Sequence, residues 1–160
     1  EWREGASLDY LGSSIHLCLS PQVGRSELQN GNQLCLALPL NAEPSQIRDA
    51  VQAWLMREAK TLFEHRLNHF APLMGVQWRR LSLSNAGSRW GSARVDGAIR
   101  LNWRLIHLKP DAIDYVVVHE LAHLREMNHS PAFWKVVAEI LPDHVERRKA
   151  LQKENLANWA

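Results

Sequence analysis

The sequence predicts an α+β fold in which a small antiparallel sheet packs against several helices. Apolar residues alternate with polar ones in the first forty residues, as in half-buried strands, and recur at helical spacing from residue 44 onward. The 160 residues are 46% hydrophobic and 22% charged, which suits one globular domain with its own core. We therefore expect a single domain over residues 1–160.

Residues 1–43 are expected to form the N-terminal strands. Ile15, Leu17 and Leu19 alternate with polar neighbours, and residues 34–38 repeat the pattern. The polar segment 21–32 between them is predicted to be a loop, since it contains an Asn-Gly turn signal.

A long helix is predicted over residues 44–71, because its apolar residues recur at helical spacing and Pro72 should end it. Residues 76–141 are expected to form the catalytic core, since they contain the motif described below. A strand is predicted near residues 76–83 and a hairpin turn at Asp96-Gly97. The helix that opens at Pro110 should run to about Met127, and Ser130 should cap the next one. A charged C-terminal helix is predicted over residues 143–158.

A metal-binding motif lies in the helix predicted after Pro110. Residues 119–123 have the sequence His-Glu-Leu-Ala-His, and His129 follows six residues later. Because helical residues four apart share a face, His119 and His123 can bind one ion. Two imidazoles and a third ligand suit Zn²⁺, although such sites also take other divalent metals. Glu120 is predicted to be the general base that takes a proton from water.

The third ligand has two candidates. Glu126 is spaced seven residues after His119, so it shares the helical face and is either a ligand or a partner that orients a histidine. His129 requires the chain to leave the helix and turn back, which Asn128 permits as a left-handed turn residue. Of the two, we favour His129 as the third ligand.

Several residues near the motif are candidates for substrate binding: Arg89, Trp90, Arg100, Asn102 and Tyr115. A strand beside the metal can pair with an extended peptide, which favours a peptidase. Arg89 and Arg100, with two further arginines at positions 94 and 104, instead favour phosphate binding if they face the metal. A structural metal site is a third reading, but such sites are usually closed and rich in cysteine.

Four segments resemble the YgjP-like metal-dependent hydrolases, a family related to the WLM and SprT-like zinc peptidases. They are residues 89–92 (Arg-Trp-Gly-Ser), 99–105 (Ile-Arg-Leu-Asn-Trp-Arg-Leu), 114–123 (Asp-Tyr-Val-Val-Val-His-Glu-Leu-Ala-His) and 128–134 (Asn-His-Ser-Pro-Ala-Phe-Trp). The resemblance is specific over about residues 78–141 and implies a zincin-like fold. It implies that His119, His123 and His129 hold zinc and that Glu120 is the catalytic acid and base. Many members have Cys after Trp-Gly-Ser, where this chain has Ala93.

The predicted activity is that of a zinc metallopeptidase, with a nucleotide pyrophosphatase using the same site as the alternative. The substrate is accordingly a peptide or a nucleotide. A net charge of +2 does not indicate nucleic-acid binding, and no apolar run approaches the length of a membrane span. Cys18 and Cys35 lack the Cys-x-x-Cys spacing and are expected to be free thiols of a cytoplasmic protein, in line with the absence of a visible signal peptide.

Overall fold

The computed structural model describes residues 1–154, which form two compact units. The first comprises Glu1–Glu58 and Ile106–Lys109, and the second comprises Ala59–Leu105 and the chain from Pro110 onward. A long helix, α1 (Pro44–Met74), contributes residues to both units. No helix of the described chain is long and apolar enough to cross a membrane. The single domain expected over residues 1–160 stays a prediction.

The first unit holds a four-stranded sheet of order β1-β2-β4-β3. Its strands are β1 (Ser7–Tyr10), β2 (Ser13–Leu19), β3 (Glu27–Gln29) and β4 (Gln33–Leu36). In β2 the buried Ile15, Leu17 and Leu19 alternate with more exposed residues, which confirms the expected pattern, whereas in β4 Cys35 is buried together with Leu34 and Leu36. The predicted loop over residues 21–32 was wrong in one respect, because it contains β3, an edge strand too short to show a period of two.

The second unit holds a three-stranded sheet of order β5-β7-β6 and three helices after it. The strands are β5 (Arg80–Ser84), β6 (Gly91–Ala93) and β7 (Ala98–Asn102). A 3₁₀ helix over Trp103–His107, whose last two residues belong to the first unit, follows β7. The helices of the second unit after it are α2 (Pro110–Ala122), α3 (Pro131–Ile140) and α4 (His144–Gln152). The last residues of the predicted C-terminal helix, 155–158, lie outside the described residues.

The α+β class is confirmed, but the expected antiparallel sheet is replaced by two mixed sheets. The pair β2–β4 and the pair β5–β7 are parallel, whereas β1–β2, β3–β4 and β6–β7 are antiparallel. Alternation along a strand reports which face is buried, and it carries no information on the direction of the neighbouring strand. The sequence pattern therefore could not separate the two arrangements.

The helix α2 ends at Ala122, five residues before the predicted end at Met127. The amide of His123 bonds to the carbonyl of Glu120 and that of Leu124 to Leu121, which are i to i−3 bonds that tighten the chain into a turn. Ser130 caps α3 as predicted, its Oγ accepting from the Phe133 amide at 3.3 Å. This early ending changes the direction of the residues after His123.

Burial on all sides distinguishes α2 from the other helices. Every residue from Tyr115 to Ala122 is buried, and α2 contacts β6, β7, α3 and α4. Near its N-terminus, α2 is joined to α1 by two hydrogen bonds that Arg66 donates to the carboxylate of Asp114, at 2.8 and 3.1 Å. The helix that carries the motif is thus held on several sides, which suits a site that needs fixed geometry.

Candidate metal centre

Three histidines meet at the end of α2. One ligand nitrogen from each of His119, His123 and His129 lies within 4.8 Å of the other two, and no other group of this kind occurs in the described part of the chain. His119 and His123 are buried, whereas His129, on the loop before α3, is exposed. Glu126 is not in the cluster, because the turn after Ala122 removes it from the helical face on which the prediction placed it.

His119 and His123 each have one ring nitrogen close to an acceptor of the protein. The Nδ1 of His119 lies 3.3 Å from Oε2 of Glu120, and the Nδ1 of His123 lies 3.2 Å from the carbonyl oxygen of Glu126. A contact of this kind orients an imidazole and favours the tautomer whose Nε2 carries the free electron pair. Glu126 therefore acts on the cluster through its backbone, and its side chain has no place among the three nitrogens.

The carboxyl group of Glu120 is almost completely buried beside the cluster, at 1% exposure. Burial raises its pKa to about 7, because the charged form loses its hydration, while the positive charges of His123, His129 and Arg89 oppose the rise. Burial also lowers the pKa of His123, which favours the neutral imidazole that binds a metal. A carboxyl group poised near neutrality suits proton transfer.

Strand β6 approaches Glu120 closely at Gly91. A Cβ atom built on Gly91 would lie 3.0 Å from Oε2 of Glu120 and 3.1 Å from the backbone oxygen of Arg100. The absence of a side chain at this position lets the strand and the carboxyl group lie against each other. The sequence segment Trp-Gly-Ser thus has a direct structural reason for its glycine.

Aromatic rings from α3 surround the imidazoles. Phe133 packs against all three histidines with ring centroids 4.5–5.0 Å apart. Trp134 stacks on His129 and also lies edge-on to His119, both at 5.9 Å. These rings exclude water from one side of the cluster and limit the rotation of the imidazoles.

The structure places the two predicted substrate-binding arginines differently relative to Glu120. The charge of Arg89 acts on Glu120, so this residue lies near the cluster. Arg100 is opposite Ser92 in the β6–β7 pair, one step from the Gly91–Leu101 pair that faces Glu120, and therefore points to the other face of the sheet.

Trp90, Asn102 and Tyr115 are buried. The side chain of Asn102 donates to the carbonyls of Ala86 and Arg89 and accepts from the amide of Arg104, so it holds the loop that carries Arg89. The ring of Tyr115 lies 5.9 Å from that of His119, and burial raises the pKa of its hydroxyl.

Two residues of α4 that the sequence did not mark as candidates contact Trp134. His144 stacks on Trp134 at 5.6 Å, and the guanidinium of Arg148 lies 5.3 Å from the same ring. No motif in the sequence marks these residues, because a charged C-terminal helix has many residues of this type. Their spacing of four was the available signal, since it places both on one face.

A buried His-Glu-x-x-His segment with a third histidine in reach defines the class of metal-dependent hydrolases. The chain belongs to the YgjP-like family: the family model described as "YgjP-like, metallopeptidase domain" matches residues 1–154. Family membership places the protein among the metallopeptidases, as the resemblance in the sequence predicted. No curated protein matches the sequence significantly.

A solved structure similar to this chain is that of the metallopeptidase zymogen of Pyrococcus abyssi abylysin. The TM-score is 0.56 at 23% sequence identity, and the match covers 61% of this chain and 99% of that one. At this identity the likeness concerns the fold, and it agrees with the zincin-like architecture that the sequence predicted.

Proposed function

We propose that this protein is a zinc-dependent peptidase in which His119, His123 and His129 hold the metal and Glu120 moves the proton. The observation that carries the proposal is the meeting of three imidazole nitrogens within 4.8 Å beside a carboxyl group of 1% exposure. Three nitrogen ligands leave one coordination position open in a tetrahedral site, which is the arrangement of catalytic zinc. Other divalent first-row metals fit the same donors.

The bound metal would supply a Lewis acid that polarises a carbonyl group and acidifies water. Glu120 takes a proton from the attacking water on its carboxylate and delivers it to the nitrogen of the departing amine. The close approach of Gly91 restricts the position of this carboxylate, and the rings of Phe133 and Trp134 keep bulk water from one side. The positive charge of Arg89 favours the ionised form of Glu120.

The outer edge of β6 is the proposed place for the peptide. In the three-stranded sheet β6 pairs only with β7, so its other edge carries backbone groups that an extended peptide can pair with. Gly91, in this strand, also faces Glu120. Pairing through the backbone would place a peptide bond beside the site with little selection by side chain.

The alternative activity, hydrolysis of a nucleoside triphosphate to the monophosphate and pyrophosphate, has one supporting observation. Arg89 lies near Glu120 and could bind a phosphate. Arg100 faces away from Glu120, and Arg94 lies 3.5 Å from Asp96 at the hairpin turn. Since one arginine is a weak phosphate site, we prefer the peptidase. We also propose a cytoplasmic location, which suits the two free cysteines.

The test is a product screen by mass spectrometry. Zinc-loaded protein is incubated with a mixture of unfolded peptides and nucleoside triphosphates, beside a Glu120→Gln variant that is shown to retain its metal. We expect new peptide termini with the wild type alone. Monophosphate and pyrophosphate with intact peptides would establish the alternative instead, and an absence of any product from fully metallated protein would contradict both.

A further inference from the structure

The first unit contains a pair of thiols that the peptidase mechanism does not use. Cys18 lies in β2 and Cys35 in β4, and these residues are directly opposite in the parallel pairing of the two strands. Both are free cysteines. The pair is therefore a local feature of the four-stranded sheet, separate from the histidine cluster of the second unit.

The two side chains point to the same face of the sheet. In β2 the buried residues Leu17 and Leu19 flank Cys18, and in β4 the buried Leu34 and Leu36 flank Cys35, so both cysteines lie on the opposite face from these leucines. Burial raises the pKa of Cys35, and the neighbouring Cys18 adds to the rise. Opposite residues on neighbouring strands have Cα atoms about 4.8 Å apart, within the span of roughly 4.4–6.8 Å that a disulfide bridges.

The two thiols differ in access and in charge environment. Cys18 is half-buried, whereas Cys35 is 3% exposed. Burial is the largest cause of the raised pKa of Cys35, and the negative charge of Glu27, its partner in the β3–β4 pair, adds to it. A reagent from solution will therefore meet Cys18 first, and Cys35 is placed to react only with what is bound to Cys18.

We propose that Cys18 and Cys35 form a dithiol–disulfide couple that reacts with low-molecular-weight disulfides such as glutathione disulfide. The Cys18 thiolate attacks one sulfur of the reagent, whose S–S bond breaks and releases one thiolate. The Cys35 thiolate then attacks Sγ of Cys18, forming the Cys18–Cys35 bond and releasing the second thiolate. The two protons lost by the protein end on the two released thiols, so the protein is oxidised by two electrons and the reagent is reduced by two.

The product ties β2 to β4 by a covalent bond and leaves no added group on the protein. This outcome distinguishes the couple from two independent surface thiols, each of which would keep a glutathionyl group. It also requires an order of reaction, because the buried sulfur cannot begin the exchange. Neither property depends on the proposed peptidase activity, and both can be measured in protein with or without metal.

The full-length protein is treated with glutathione disulfide in the presence of a chelator, and its mass and free thiols are followed. We expect the wild type to lose both thiols without a bound glutathionyl group, and its digest to contain a linked peptide pair. Cys35→Ser should retain one glutathionyl group on Cys18. In Cys18→Ser the remaining thiol, that of Cys35, should react at least about tenfold more slowly than the thiols of the wild type.

A wild-type protein that carries one or two stable glutathionyl groups would overturn the proposal, as would one that keeps both thiols while its urea-unfolded form reacts. The wild-type measurement alone decides between these results. It does not depend on whether either serine variant folds. A Cys35→Ala variant, which places no hydroxyl in the buried position, provides a second check on the trapped intermediate.

Discussion

The indole of Trp134 stacks on the imidazole of His129, with ring centroids 5.9 Å apart and ring planes 25° from parallel. His129 is the exposed member of the histidine cluster and lies on a loop, whereas the buried His119 lies in α2 and the buried His123 directly follows it. Two residues of α4, His144 and Arg148, also pack against the same indole. Trp134 thus links the loop-borne histidine to two helices.

Replacing Trp134 should weaken metal binding more than it weakens the fold. In Trp134→Ala the imidazole of His129 loses its stacking partner, and we expect Kd for Zn²⁺ to rise roughly 10–100-fold. Trp134→Phe keeps an aromatic surface and should lose less. Competition with a chromophoric chelator measures Kd, and Trp78→Ala is the matched control, since Trp78 bonds to Asn68 and is no member of the cluster. Equal Kd values in folded Trp134→Ala and wild-type protein would contradict this role.

Substitutions of Glu120 and Glu126 should have different effects on turnover, and neither should remove the metal. Glu120→Gln keeps the size of the side chain but removes the base, so we expect retained zinc and a fall in kcat of about 10²–10⁴-fold. Glu126→Gln should leave metal content and kcat close to wild type, because this residue contacts His123 through its backbone carbonyl. Metal content by atomic emission and turnover on one cleaved peptide give both readings. Loss of zinc in Glu126→Gln would show that its carboxylate is a ligand after all.

A residue larger than glycine at position 91 should lower the activity. In Gly91→Ala the new Cβ would lie 3.0 Å from Oε2 of Glu120, so the carboxylate must shift by a few tenths of an ångström. Because proton transfer depends on the position of the base, we expect kcat to fall roughly tenfold or more with metal content unchanged. Gly87→Ala is the matched control, since nothing lies within 4 Å of a Cβ there. Similar kcat values for the two variants would contradict the argument.

Most of the elements and the histidine cluster could be predicted from the sequence, because both depend on the spacing of residues that are close in the chain. The i, i+4 histidines, the Ser130 cap and the Asp96-Gly97 turn depend on residues close in the chain. The parallel pairs and the early end of α2 could not be predicted, since they depend on which strand or loop lies alongside. Arg100 shows the same limit, because its place near the motif in sequence does not give the face of the sheet on which it lies.

The hydroxyl of Tyr10 should make the free energy of unfolding fall as the pH rises above about 10. Its hydroxyl donates to Glu58 at 3.1 Å, and burial together with the charge of Glu58 raises its pKa to about 12 from an unfolded value near 10. Below pH 10 the phenol is protonated in both states. Between the two pKa values the folded state keeps a proton that the unfolded chain has lost, so the free energy of unfolding falls as the pH rises.

Tyr10→Phe removes that group, and its urea midpoint should therefore fall less than that of the wild type between pH 9 and about 11. The comparison of the two proteins cancels the lysines and other groups that titrate in the same range. A parallel decline in the two midpoints would show that the Tyr10 hydroxyl has the same pKa in both states.

The ion pair between Arg66 and Asp114 should contribute measurably to stability, unlike the exposed pairs of the protein. The two side chains are 24% and 19% exposed, and the guanidinium bonds to both carboxylate oxygens and lies 5.1 Å from the ring of Phe70. Arg66→Met leaves the partly buried Asp114 carboxylate without its donor, so we expect a loss of about 1–3 kcal/mol in the free energy of unfolding. Asp114→Asn in the Arg66→Met background should recover part of that loss, because the unpaired charge is removed.

The matched control for this pair is Arg48 and Asp49, which are 3.2 Å apart but 53% and 71% exposed. Water solvates both ions there in the folded and unfolded states, so Arg48→Met should change the urea midpoint little. Urea denaturation of the wild type, Arg66→Met, Asp114→Asn and the double variant gives the coupling energy of the partly buried pair. A coupling energy no larger than the effect of Arg48→Met would mean that the Arg66–Asp114 pair stabilises the fold no more than an exposed ion pair does.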